Sequence, residues 1–148
     1  MPRWRPAPRI VVKAIGLAWR DGRLLAAEVT DDAGRPKGYR PLGGQVEFGE
    51  TWDAALRREW AEETGLAVEV SGSPLVIENL FVHHGVPGHE IVFAAAVTLP
   101  DGALPDEATR LAEHDGSAFL ARWIDPGALP PGTELYPVGL MRHVRRAE

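Results

Sequence analysis

Along most of this chain, apolar and β-branched residues come in short runs separated by clusters of turn formers. Ile10 to Trp19 predicts a strand, Arg20-Asp21-Gly22-Arg23 a turn, and Leu24 to Val29 the hairpin partner. Thr30 to Gly38, with Asp-Asp-Ala-Gly and a proline, predicts a loop. Tyr39 to Leu42 predicts a short strand running into Gly43-Gly44, and the alternation of Val46 and Phe48 with Glu47 and Gly49 suits a second one. Further on, Leu66 to Val70 and Leu75 to Val82 predict strands, and His83 to Gly88 a turn-rich hairpin loop. Ile91 to Leu99 is apolar throughout and reads as a central strand, and Phe119 to Ile124 as the last one.

The rhythm breaks once, from about Trp52 to Thr64, where the period becomes helical. Thr51 is placed to cap this helix, Glu50 lies where the positive end of the helix dipole favours an acid, and Gly65 is placed as the stop. At about 100° per residue, Trp52, Ala55 and Leu56 share one side with Glu59, Glu62 and Glu63. An ordinary amphipathic helix keeps its buried stripe apolar to the end. This stripe begins apolar and turns acidic, with three carboxylates at i, i+3 and i+4. Such carboxylates repel one another unless a cation sits among them, and hard oxygen donors select Mg²⁺ or Mn²⁺. Asp106 to Glu113 predicts a short helical stretch, Pro126 to Pro137 is proline-rich without periodicity, and Val138 to Arg146 predicts a terminal helix. Strands around one central helix, closed by another, predict an α+β fold. Residues 1–8 are expected to form a flexible tail and residues 9–148 a single domain.

Composition narrows the chemistry. The 148 residues are 45% hydrophobic and 25% charged, as in a globular domain able to bury a core. The net charge of −5, from 16 basic and 21 acidic residues, argues against a nucleic-acid polymer as partner. A small phosphorylated substrate stays compatible, because a bound metal reverses the local sign. The absence of cysteine excludes disulfides, thiolate metal sites and cysteine nucleophiles, and fits a reducing compartment. MPRWRPAPR lacks the apolar core of a secretory signal, and Ile91 to Leu99 is too short to span a bilayer. The expectation is therefore a cytoplasmic protein with no membrane partner.

From Gly44 to Leu66 the chain reads GQVEFGETWDAALRREWAEETGL. Position for position this resembles the signature of the Nudix hydrolases, carried here by Gly44, Glu50, Arg58, Glu59, Glu62, Glu63, Gly65 and Leu66, with Trp60 where an aliphatic residue is usual. Leu42 and Gln45 are local variants of the proline- and glycine-rich approach to that signature, and Tyr-Arg-Pro-Leu-Gly-Gly resembles a bacterial subgroup that fixes no substrate. The resemblance implies an α/β/α sandwich with a mixed sheet between helices. It also implies that Glu59 and Glu63 bind a divalent metal, that Glu62 is either a ligand or the base that takes a proton from water, and that the Gly43 carbonyl completes the metal site. Arg58 would orient a glutamate, and Glu50 would support the site. A further acid from a later loop is expected before a strand carrying a tryptophan. With Trp123 as that tryptophan, Glu113 is the leading candidate, ahead of Asp115 and Glu90.

Other residues invite weaker readings. Arg40 suits a phosphate contact or a surface ion pair. His83, His84 and His89 surround a hairpin but lack an evident fourth ligand for zinc. Trp19, Tyr39, Phe48 and Phe81 could stack on a base, although strand aromatics more often fill a core. The implied activity is Mg²⁺- or Mn²⁺-dependent hydrolysis of a pyrophosphate bond in a nucleoside diphosphate linked to another moiety. A nucleoside triphosphate, a dinucleotide, ADP-ribose or a nucleotide sugar would serve. The alternative is a Nudix-like module that senses a nucleotide without cutting it. The sequence leaves monomer and homodimer open.

Overall fold

The computed structural model describes residues 4–113 and 115–146, apart from the side chains of Arg145 and Arg146. Its strands are β1 (Ile10–Leu17), β2 (Trp19–Arg20), β3 (Arg23–Thr30), β4 (Pro36–Pro41), β5 (Gly43–Gln45), β6 (Glu69–His83), β7 (Val86–Thr98), β8 (Thr109–Ala112), β9 (Ala118–Ile124) and β10 (Glu134–Leu135). Helix α1 (Trp52–Thr64) follows β5, and α2 (Leu140–Arg146) ends the described chain. One sheet runs β5-β1-β7-β6 and the other β10-β4-β3-β9-β8, with the short β2 on β3. β1 and β7 pair in parallel from Ile10 opposite His89 to Leu17 opposite Ala96, while β5 is antiparallel to β1.

The fold is an α+β sandwich, and the apolar runs show why. Successive strand residues face opposite ways, so a run such as Leu24-Leu25-Ala26-Ala27 must bury both faces. Ala14, Leu25, Ala27 and Ala95 pack with Leu56 and Trp60 of α1. Their neighbours Ile15, Leu24, Ala26 and Ala94 pack with Leu140 and Val144 of α2. Both sheets thus contribute to both cores, and a helix closes each.

Helix α1 begins and ends where its capping residues indicate. Thr51 accepts a hydrogen bond from the Ala54 N–H, and Gly65, in the left-handed region, closes the last turn onto the Ala61 carbonyl. Trp60 is fully buried and donates its indole N–H to the Leu42 carbonyl at 3.1 Å. A Cβ on Gly16 would lie 2.6 Å from that indole nitrogen. The glycine in β1 is what lets an indole replace the usual aliphatic side chain.

Several expectations need correction. Val46 to Gly49 is not a strand: after one last bond from the Val46 N–H to the Val12 carbonyl of β1, the chain turns at Phe48-Gly49, closed by a Glu50 N–H to Glu47 carbonyl bond, and Phe48 is left fully exposed. The strands sought at Leu66–Val70 and Leu75–Val82 are one long strand, β6, with an irregularity between Ser71 and Leu75. The loop at His83–Gly88 shrinks to a two-residue turn, His84-Gly85, both with positive φ. Asp106 to Glu113 holds no helix. Thr109–Ala112 pairs with β9, and its half-buried Thr109 and Leu111 alternate with exposed Arg110 and Ala112, so sheet pairing overrides the local helical composition. β9 is not the last strand, because Glu134–Leu135 adds β10 beside β4.

The segment expected as a flexible tail is described from Trp4 onward. There the Trp4 ring lies near-parallel to Phe81 at 6.4 Å, and Arg5 makes a two-pronged ion pair with Asp32. Tyr39 is a core residue, and Trp19 is partly exposed.

Candidate active site

Gly43 and Gly44 pair with Ile15 and Ala14 across β5 and β1. A Cβ on Gly44 would overlap the Glu59 carboxylate, so the missing side chain is the cradle in which Glu59 sits. A Cβ on Gly43 would collide with the β1 backbone at Ala14. Two glycines therefore bring the strand against both β1 and the acidic end of α1.

Arg58 organises the approach to that end. Its guanidinium grips Glu50 through Nε at 2.7 Å and Nη2 at 2.9 Å, and donates to the Gln45 carbonyl at 3.0 Å. It also reaches Glu59 at 2.9 Å and, more weakly, Glu62 at 3.4 Å. The i,i+4 pair expected with Glu62 is the longest of these contacts. The principal partner is Glu50, from the loop before the helix, and the grip holds the Glu50 carboxyl well below the usual range, at about 2, helped by the Glu47 N–H.

Glu63 is the most unusual group. It is 5% exposed, and neither carboxylate oxygen has a hydrogen-bond partner among the described residues. Burial pushes its carboxyl up to about 8. The Arg40 charge opposes that rise, and the Glu113, Glu59 and Glu62 carboxylates add to it. Glu59 is also raised, chiefly by burial, with Arg58 pulling the other way. An unpaired buried carboxylate is costly, and carboxylates that raise one another's proton affinity mark a place for a cation.

Glu113 reaches this cluster from the end of β8. Its charge acts on both Glu59 and Glu63, and Arg40 of β4 binds it at 2.7 Å. The structure thus gathers Gly43, Gly44, Glu50, Arg58, Glu59, Glu62, Glu63 and Glu113, all named from the sequence. The Arg40–Glu113 bridge is the surface ion pair allowed for Arg40, and nothing in the local sequence of either residue signals the other. The two rival acids are engaged elsewhere. Asp115 accepts from the N–H and hydroxyl of Ser117 in its own turn, and Glu90 is bound by Lys13 at 2.6 Å and Asn79 at 3.3 Å.

A second group of candidate ligands, Asp32, His83 and His84, has its donor atoms within 4.8 Å of one another. Its strongest positions are taken by the chain's own cations: Arg5 on Asp32, and Lys37 at 2.9 Å from Nδ1 of His83. Burial and the Lys37 charge also push the His83 imidazole below its ordinary value. His89 lies 3.7 Å from Glu78 and joins neither group.

The chain matches the NUDIX domain family over residues 7–142. It is similar in fold to the MutT NUDIX hydrolase from Burkholderia pseudomallei, at 20% identity and TM-score 0.61 over 95% of this chain and 99% of that one. It is also similar to the ORF135 protein of E. coli, at 22% identity and TM-score 0.56 over 95% and 94% of the two chains. A NUDIX hydrolase from Nitrosomonas europaea matches at 19% identity and TM-score 0.58 over 94% and 90%. The chain belongs to the Nudix family and is a hydrolase acting on pyrophosphate bonds.

Proposed function

We propose that this protein hydrolyses, with Mg²⁺ or Mn²⁺, a pyrophosphate bond in a small nucleotide: a nucleoside diphosphate linked to a further phosphate, nucleotide or sugar. The observation that carries the reading is Glu63, a buried carboxylate with no hydrogen-bond partner among the described residues, beside Glu59 and within the field of Glu113. Oxygen donors in this arrangement fit a hard divalent cation. Glu59, Glu63 and the Gly43 carbonyl would hold it, with Glu62 either a fourth donor or a base. When bound, such a cation neutralises non-bridging phosphate oxygens and lowers the pKa of water.

The chain's own residues supply the rest. Glu62, more exposed than Glu59 and Glu63, would serve as a ligand or take the proton from the attacking water, and Glu113 is the other candidate for that proton or for a ligand position. Arg58 positions Glu59, and Glu50 holds Arg58 in place. No helix among the described residues is long and apolar enough to cross a membrane, and a cytoplasmic nucleotide suits the reading.

Turnover of nucleoside triphosphates, dinucleoside polyphosphates, ADP-ribose and nucleotide sugars, read as phosphate release with coupling enzymes, tests the proposal. We expect metal-dependent turnover of one class, and a fall of roughly a hundred-fold or more in Glu63→Gln with the melting temperature kept. Near-normal turnover in that variant removes Glu63 from the site. Tight nucleotide binding without turnover in either metal would make the protein a sensor instead.

A further inference from the structure

Two arginines act on the acid cluster, and they are engaged very differently. Arg58 makes five hydrogen bonds, to Glu50, Gln45, Glu59 and Glu62, as many as a guanidinium has N–H groups. Arg40 makes one among the described residues, from Nη2 to Glu113 at 2.7 Å. Nε and Nη1 are left without a partner among those residues, and the side chain is 31% exposed.

The register puts Arg40 on the same side of its sheet as α1. Arg40 stands opposite Ala27, which packs in the core under α1, while its neighbour Tyr39 packs in the core under α2. The guanidinium carbon lies 5.8 Å from the centre of the Phe119 ring, and Phe119 borders the α1 core too. The Arg40 charge is felt at Glu63, the buried acid of α1. A positive group at that place opposes the binding of a divalent cation by the same carboxylates. The opposition becomes attraction once an anion arrives with the cation. A guanidinium fixed on one side and unengaged on the other suits phosphate, whose oxygens accept two parallel N–H bonds.

We propose that Arg40 binds non-bridging oxygens of the substrate's phosphate chain beside the cation, while Glu113 and Phe119 keep its guanidinium in place. This rests on the hydrolase reading above, and adds to it a phosphate contact from outside the Gly44–Leu66 run. The competing role is purely mechanical: Arg40 would hold Glu113 at the cluster and touch no substrate. The two roles differ in what the loss of Arg40 does to metal and to phosphate. A phosphate contact, once lost, weakens the anion and spares the metal. A mechanical fastening, once lost, displaces Glu113 and spares the anion.

Wild type, Arg40→Gln and Arg40→Lys are compared, with melting temperatures to confirm folding. Mn²⁺ binding alone is titrated by electron paramagnetic resonance. Methylenediphosphonate, a pyrophosphate analogue whose carbon bridge resists hydrolysis, is then titrated by calorimetry at saturating Mn²⁺. We expect Arg40→Gln to bind Mn²⁺ at least as tightly as wild type and the diphosphonate about ten-fold or more weakly. Arg40→Lys, which keeps the charge without the fork, should fall between the two. KM for the nucleotide substrate should rise about ten-fold in Arg40→Gln while kcat stays within about three-fold. Equal diphosphonate affinity in wild type and Arg40→Gln, or no binding to wild type, overturns the proposal. A protein that holds the diphosphonate through Arg40 yet cuts nothing keeps the contact and loses the hydrolase. One that cuts nucleotides with an unchanged KM in Arg40→Gln does the reverse.

Discussion

At the scale of single residues, the site depends on an atom that is missing and a charge that is unpaired. Gly44 has no Cβ where the Glu59 carboxylate lies, and Glu63 has no hydrogen-bond partner for either oxygen among the described residues. Gly44→Ala should push Glu59 out of place without opening the core, because the obstructed atoms end a side chain rather than belong to backbone. The expected outcome is loss of the Mg²⁺-induced rise in melting temperature, with turnover down about ten- to a hundred-fold. Thermal shift with and without metal checks it, and a wild-type response to Mg²⁺ in this variant would show that Glu59 does not need the cradle.

At the scale of the element, α1 is both a packed helix and a scaffold for acids, and its two ends are fixed differently. The Glu50 carboxyl, ordinarily near 4.5, is held at about 2 by Arg58. A depressed folded-state pKa means that its stabilisation is fully present above pH 4.5 and disappears as pH falls through about 2. Glu50→Gln should therefore be less stable than wild type at neutral pH, with the gap closing between pH 4.5 and 2, as urea melts across that range would show. On the buried side, Gly16→Ala would press on the Trp60 indole. It should cost about 1–3 kcal/mol in denaturant melts. Combined with Trp60→Leu, the two losses should be less than additive, since the smaller side chain removes the clash that the first change creates.

At the scale of the whole molecule, the acid cluster is a product of both sheets. α1 and β5 bring Glu59, Glu62 and Glu63, while Glu113 comes from β8, on the far edge of the second sheet, tied by Arg40 of β4. Glu113→Gln should lower turnover by about ten-fold or more, less than Glu63→Gln, with KM little changed. Steady-state kinetics separates the two variants, and unchanged kcat in Glu113→Gln would reduce the Arg40 bridge to a fastening between strands.

What the sequence determined by itself is local. The acidic stripe of α1, its Thr51 and Gly65 ends, and the Asp21-Gly22 turn follow from spacing and turn chemistry within a few residues. That turn joins only the short β2 to β3, while β1, expected as the hairpin partner, lies in the other sheet. The continuous apolar run of β7 placed it in the middle of a sheet, because only a strand covered on both faces can afford such a run. Tertiary structure decided the rest. It drew Thr109–Ala112 into a strand against β9, laid Trp4 on Phe81, matched Gly16 to Trp60, and joined Arg40 to Glu113 across 73 residues of chain. Each of these depends on which distant segments the two sheets bring side by side, and a run of residues carries no local periodicity for a partner that far away.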